Sequence, residues 1–127
     1  MAEVPRTIEE MPKPMPNLTE WTFAEWTERR LRQVQEIAPD YPVVELILEL
    51  TSAGQKVPCA DIRQRLGLTV GQMNAQLGYF TRRIKHEIAP EWQGLKWHWP
   101  FSIYPVTGRT WGYFMLPEIR ARWQSLK

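Results

Sequence analysis

Between Gly71 and His86 the chain gathers side chains able to hydrogen-bond a nucleic acid: Gln72, Gln76, Tyr79, Arg82, Arg83 and His86, interleaved with the small residues Gly71, Ala75 and Gly78. A glutamine amide can meet an adenine edge. A guanidinium can meet guanine or hold a phosphate, and a phenol can bond a phosphate oxygen. The spacing brings them together if the stretch is helical. At about 100° per residue, Gln72, Ala75, Tyr79, Arg82, Arg83 and His86 share one side, Gln76 lies on one flank, and Gly71 and Gly78 lie on the other. Val70, Met73, Leu77, Phe80, Ile84 and Ile88 then form the inner apolar stripe. No acid breaks the polar side before Glu87. The plain alternative is a solvated helix surface, polar only because it faces water.

Other chemistry finds less material. Cys59, His86 and His98 are too few and too scattered for a zinc site, which needs four ligands at short paired spacings. A Cys59–His nucleophile pair has no local support, and a buried inert thiol at a helix start is the simpler reading. Asp61 and Glu87 form no acid–base pair in the sequence, and neither common phosphate-binding glycine loop occurs. The expectation is a protein that is not an enzyme and uses no cofactor or metal.

The element that carries the polar side is well specified at its start. Thr69 followed by Gln72 is a capping box, and Gly67 can end a preceding helix in the left-handed conformation. That preceding helix spans Cys59 to Leu66, with Ile62 and Leu66 inward and Arg63 and Arg65 on the flanks. Upstream, "VVELILEL" predicts a helix from Pro42 to Ala53, stopped by Gly54, with Val43, Leu46, Ile47 and Leu50 inside. "QKVP" leaves room for a stub of strand. Another helix is expected from Leu18 to Ile37, with Thr22 and Glu25 as its capping box. Residues Met1 to Asn17, rich in proline and without apolar period, read as a disordered tail.

After Gly94 the period changes. Trp97, Trp99, Phe101 and Ile103 alternate with polar residues and Pro100, which is strand spacing with an edge or bulge at the proline. "WGYFML" should pair with it as a hairpin through "PVTGRT", and Pro117 suits the first turn of a last short helix. The tryptophans could stack on single-stranded bases, but alternate strand positions favour the core.

The order carried by "PVVELILEL…KVPCADIRQRLGLTVGQMNAQLGYFTRRI" and "KWHWPFSIYPVTGRTWGYFMLP" resembles the winged helix-turn-helix family over about Tyr41 to Leu116. The fold class expected is therefore mainly α with a small β-hairpin (α+β): a disordered tail (1–17), an extra N-terminal helix (18–40) and a winged helix-turn-helix domain with a short C-terminal helix (41–127). The resemblance implies double-stranded DNA binding, by a transcriptional regulator or an accessory protein of a DNA transaction. Gln72, Ala75, Gln76 and Tyr79 would meet bases in the major groove. Arg82, Arg83, Arg63, Arg65 and Lys56 would hold phosphates, and Arg109, in the hairpin turn, would reach an adjacent groove or phosphate. The added N-terminal helix would pack on its own domain or join two chains as a homodimer. The alternative is a winged-helix protein–protein interaction module within a larger assembly, its basic face meeting an acidic protein.

Composition fits either reading. The chain of 127 residues has 43% apolar and 24% charged residues and a net charge of only +2. The charge is lopsided: five bases against ten acids up to Gly54, then eleven against four. Such a basic half can attract a polyanion. No apolar run reaches the roughly 18 residues of a membrane span, no secretory signal pattern is present, and the lone Cys59 suits a reducing compartment. A cytoplasmic protein is expected.

Overall fold

The computed structural model describes residues 26–90, 99–106 and 110–127. These form a mainly helical fold with five α-helices and a small three-stranded antiparallel sheet. The elements are α1 (Glu28–Ile37), α2 (Pro42–Ser52), β1 (Val57–Pro58), α3 (Cys59–Leu66), α4 (Val70–Arg83), β2 (Ser102–Val106), β3 (Thr110–Phe114) and α5 (Pro117–Ser125). A 3₁₀ turn, Ala38–Asp40, joins α1 to α2, and a π turn, Ile84–Ile88, extends α4.

Helix α1 is shorter than the periodicity suggests. The backbone is extended at Thr27 (φ −72°, ψ 165°), whose hydroxyl accepts from the Arg30 N–H at 3.3 Å. A threonine that satisfies a helix-start N–H competes with helical continuation, so the helix expected from Leu18 begins at Glu28. Thr22, Glu25 and the proline-rich tail lie outside the described residues. Leu31, Val34 and Ile37 are buried in the chain's own core, against α5 and the π turn. The apolar face of α1 therefore packs on its own domain.

Helix α2 is central and touches α3, α4, α5 and the sheet. Enclosure on several sides moves its buried stripe to Val43, Val44, Ile47, Leu48, Thr51 and Ser52, leaving Leu46 and Leu50 half-buried instead of innermost. The buried Thr51 hydroxyl donates to the Ile47 carbonyl at 2.7 Å, which removes the cost of burying it. Gly54, at φ 93°, ends the segment.

The α3–turn–α4 unit follows local rules. Gly67 sits at φ 65°, ψ 38°, with Leu68 N–H donating to Arg63 O (3.0 Å) and Gly67 N–H to Gln64 O (3.3 Å), the two bonds of a Schellman ending. Both halves of the Thr69–Gln72 box are made: Gln72 N–H to Thr69 Oγ1 at 3.1 Å, and Thr69 N–H to Gln72 Oε1 at 2.9 Å. The apolar stripe holds for Met73, Leu77, Phe80, Ile84 and Ile88. Val70 departs from it, with half its surface exposed.

The sheet order is β1–β3–β2. Strand β3 is central, pairing Val57 with Tyr113 and Pro58 with Gly112 on one side and Tyr104 with Gly112 on the other. The strand read from Trp97 starts only at Ser102; Trp99 and Phe101 are buried just before it, and Trp97 and His98 lie outside the described residues. Pro105 sits in the edge strand β2, where a missing N–H is tolerated. Trp99 stacks on Phe101 (5.3 Å between centroids), and Phe101 meets Tyr113 edge-on (5.4 Å). Trp111 donates its indole N–H to the Tyr113 oxygen at 3.1 Å. Burial pushes the Tyr113 phenol's pKa up, so the ring stays neutral in the core. Trp99 and Trp111 are thus core side chains, not platforms for bases. Among the described residues no helix is long and apolar enough to cross a membrane.

Candidate functional site

Helix α4 has four sides with different fates. Its core side is covered by α2 and by the aromatic cluster. On one flank Thr81 accepts the Trp99 indole N–H at 2.8 Å and donates to Leu77 O at 2.8 Å, which anchors the chain entering the hairpin to α4. The opposite flank bonds the α1–α2 junction. Between the flanks lies an exposed arc of Gly71, Gln72, Ala75, Tyr79, Arg82 and His86. Tyr79 is 52% exposed, and the Arg82 guanidinium rests over its ring at 5.0 Å.

Three of the expected contacts change on inspection of their partners. Gln76 Oε1 accepts the Val43 N–H at 2.9 Å, across 33 residues of chain. Helix α2 starts with Pro42, and Tyr41 supplies no side-chain cap, so Gln76 of a different helix satisfies the helix start. It is a structural cap, not a base reader. Arg83 forks between carboxylates: Nη1 to Asp40 Oδ2 at 2.8 Å, Nε to Glu87 Oε2 at 2.7 Å and Nη2 to Glu87 Oε1 at 3.1 Å, with the Tyr41 ring 5.9 Å away. These bonds raise its pKa further, and in turn hold the Glu87 carboxyl below its usual range. Two acids neutralise this cation, so it is not placed as the phosphate clamp expected of it. Gln72 keeps its position on the arc but its carbonyl is committed to the capping box. Only its amide donors remain for a ligand, which excludes two-point adenine recognition while the box is closed.

The remaining cations surround the arc. Arg65 and Lys56 are exposed, and the Lys56 ammonium lies over the Tyr104 ring at 5.6 Å. Arg63 is half-buried on α3, beside a cleft bounded by the start of α4 and by β3. Arg109 lies outside the described residues. Cys59 is buried, and no group of three or more His, Cys, Asp or Glu among the described residues is placed to hold a metal ion. No family model, no curated protein and no solved structure matches this chain.

What the arc can do follows from its chemistry. Gln72, Tyr79 and Arg82 all offer donors, and phosphate oxygens and the guanine edge are the acceptor-rich parts of a duplex. Gly71 adds room. A Cβ built there would meet only Thr69 Oγ1, at 3.9 Å, so no neighbour in the fold requires a glycine.

The Gln76 cap yields a separable prediction. Gln76→Ala should cost about 1–2 kcal/mol, because a half-buried helix-start N–H loses its partner. Gln76→Glu keeps an acceptor at the positive end of α2 and should recover most of that loss. Urea unfolding of the three proteins checks it; equal midpoints would show that the cap contributes nothing.

Proposed function

We propose that the chain is a winged helix-turn-helix protein that binds double-stranded DNA, as a transcriptional regulator or an accessory factor in a DNA transaction, in the cytoplasm. The element order supports the family: α2, a strand stub, α3, a three-residue turn, α4 and a hairpin, with β1 paired to the far strand of that hairpin. The observation that carries the function is the exposed arc of α4, acid-free and donor-rich from Gly71 to Arg82, on the second helix of the unit. In this reading α4 enters the major groove, Gln72, Ala75 and Tyr79 face base edges, and Arg82, Arg65 and Lys56 hold phosphates.

Salt titration of duplex binding tests it. Each phosphate contact should add about 0.9 to the log–log slope with salt. Arg82→Ala should lower the slope by about 1, whereas Arg83→Ala should leave it unchanged, because the Arg83 charge is already paired. Wild-type protein that ignores duplex DNA at low salt would overturn the reading in favour of a protein-docking role.

Gly71 gives a second test with two readouts of opposite sign. Gly71→Ala should stabilise the fold by about 0.5–1 kcal/mol, since alanine loses less backbone freedom on folding and has the space. The same methyl should weaken duplex binding, because it stands where the groove floor would approach. A variant that is stabilised and binds undiminished would remove Gly71 from the interface.

A further inference from the structure

A second place on the molecule is built to take a ligand, and it does not depend on DNA binding. A cleft of about 280 Å³ opens between α3, the first turn of α4 and strand β3. Its walls are Cys59 and Arg63 of α3, Val70, Met73 and Asn74 of α4, and Trp111 of β3. The lining is mostly apolar, and it explains the one departure from the α4 stripe: Val70 is half exposed because it borders this space instead of packing into the core. Arg63 is the only charged lining residue, with no carboxylate in the walls and no ion-pair partner among the described residues. An apolar slot with a single unopposed cation is complementary to a small amphipathic anion. Size narrows the class further. A cavity of about 150 Å³ is enough for benzene, so this cleft holds one ring and a short polar arm.

We propose that this cleft binds a small aromatic carboxylate, its ring against Val70, Met73 and Trp111 and its carboxylate on the Arg63 guanidinium. A planar guanidinium bonds a carboxylate through two parallel N–H groups, which an ammonium would not do. Asn74 is placed to orient the bound molecule as a second polar group. The indole N–H of Trp111 is already bonded to Tyr113, so Trp111 contributes a surface and not a donor. Because the cleft touches three elements, an occupant would clamp the start of α4 against the hairpin.

The test uses phenylacetate and its uncharged isostere phenylacetamide, titrated into the full chain and followed by the NMR signals of the Met73 methyl and the Trp111 indole. Phenylacetate should shift both saturably, with the amide about tenfold weaker, as expected for loss of a charge-assisted pair. Arg63→Gln should bring the acid down to the affinity of the amide. Val70→Trp, at a half-exposed position that tolerates bulk, should fill the mouth and abolish both titrations, with far-UV circular dichroism confirming the fold. Absence of a saturable shift, equal affinity for acid and amide, or binding undiminished in both variants would overturn the proposal. These readouts contain no DNA, so their failure is distinct from failure of the duplex-binding reading.

Discussion

Ala75→Glu should cut duplex affinity about a hundredfold while moving the thermal midpoint by no more than about two degrees. Ala75 lies in the middle of the exposed arc of α4. Glutamate is a good helix former, and at an exposed site it disturbs no packing. Against a duplex it would place an uncompensated negative charge among phosphates and acceptor edges, where like charges brought together cost several kcal/mol. The affinity measurement is fluorescence anisotropy with a mixed duplex pool at low salt, run beside a thermal melt. Unchanged affinity with an unchanged melt would mean that the arc does not face DNA, and the duplex-binding role would be lost with it.

Gly112→Ala should destabilise the fold by about 1–3 kcal/mol, the range for forcing an extra methyl into a packed site. That corresponds to a fall of several degrees in thermal midpoint. A Cβ on Gly112 would stand 2.6 Å from Tyr104 Cε1 and Cζ and 2.7 Å from its hydroxyl. The obstacle is the body of a ring rather than the end of a flexible chain. Tyr104 is also held edge-on against Phe114 at 6.2 Å, with Lys56 over its face. Gly112 occupies the central strand between Pro58 and Tyr104, so the added methyl would push the edge strand β2 away from β3. Adding Gly112→Ala to a Tyr104→Ala background should cost less than about 0.5 kcal/mol, since the ring is gone. A single-mutant cost that survives in that background would place the strain elsewhere.

How much of this was legible in the sequence depended on the reach of each interaction. Gly67, Thr69 and Gln72 announced the end of α3 and the start of α4, and the bonds they make span five residues or fewer. The boundaries Cys59 to Leu66 and the start at Val70 were readable for that reason. Pro117 at the start of α5 and the core positions Met73, Leu77 and Phe80 were readable too, since period and proline geometry are local properties. Even at this scale one competition was missed: Thr27, not Thr22, caps the described part of α1.

Polar side chains on α4 were a different matter. By type and spacing, Gln72, Gln76, Arg82 and Arg83 are one set of groups able to meet a nucleic acid. The fold divides them, because Val43 lies 33 residues from Gln76 and Asp40 lies 43 from Arg83. No periodicity encodes a partner at that separation; it is set by the angle at which α2 crosses α4. The bare start of α2 at Pro42, with no capping side chain at Tyr41, was the one clue that a cap must come from afar. The exposure of Val70 and the cleft beside it likewise exist only once β3 is laid against α3 and α4. Local sequence therefore determined where the helices begin and end and which side of α4 is apolar. Tertiary packing decided which of its polar groups are already bonded within the fold and which are left for a partner, because a hydrogen bond formed inside the protein removes that donor or acceptor from recognition.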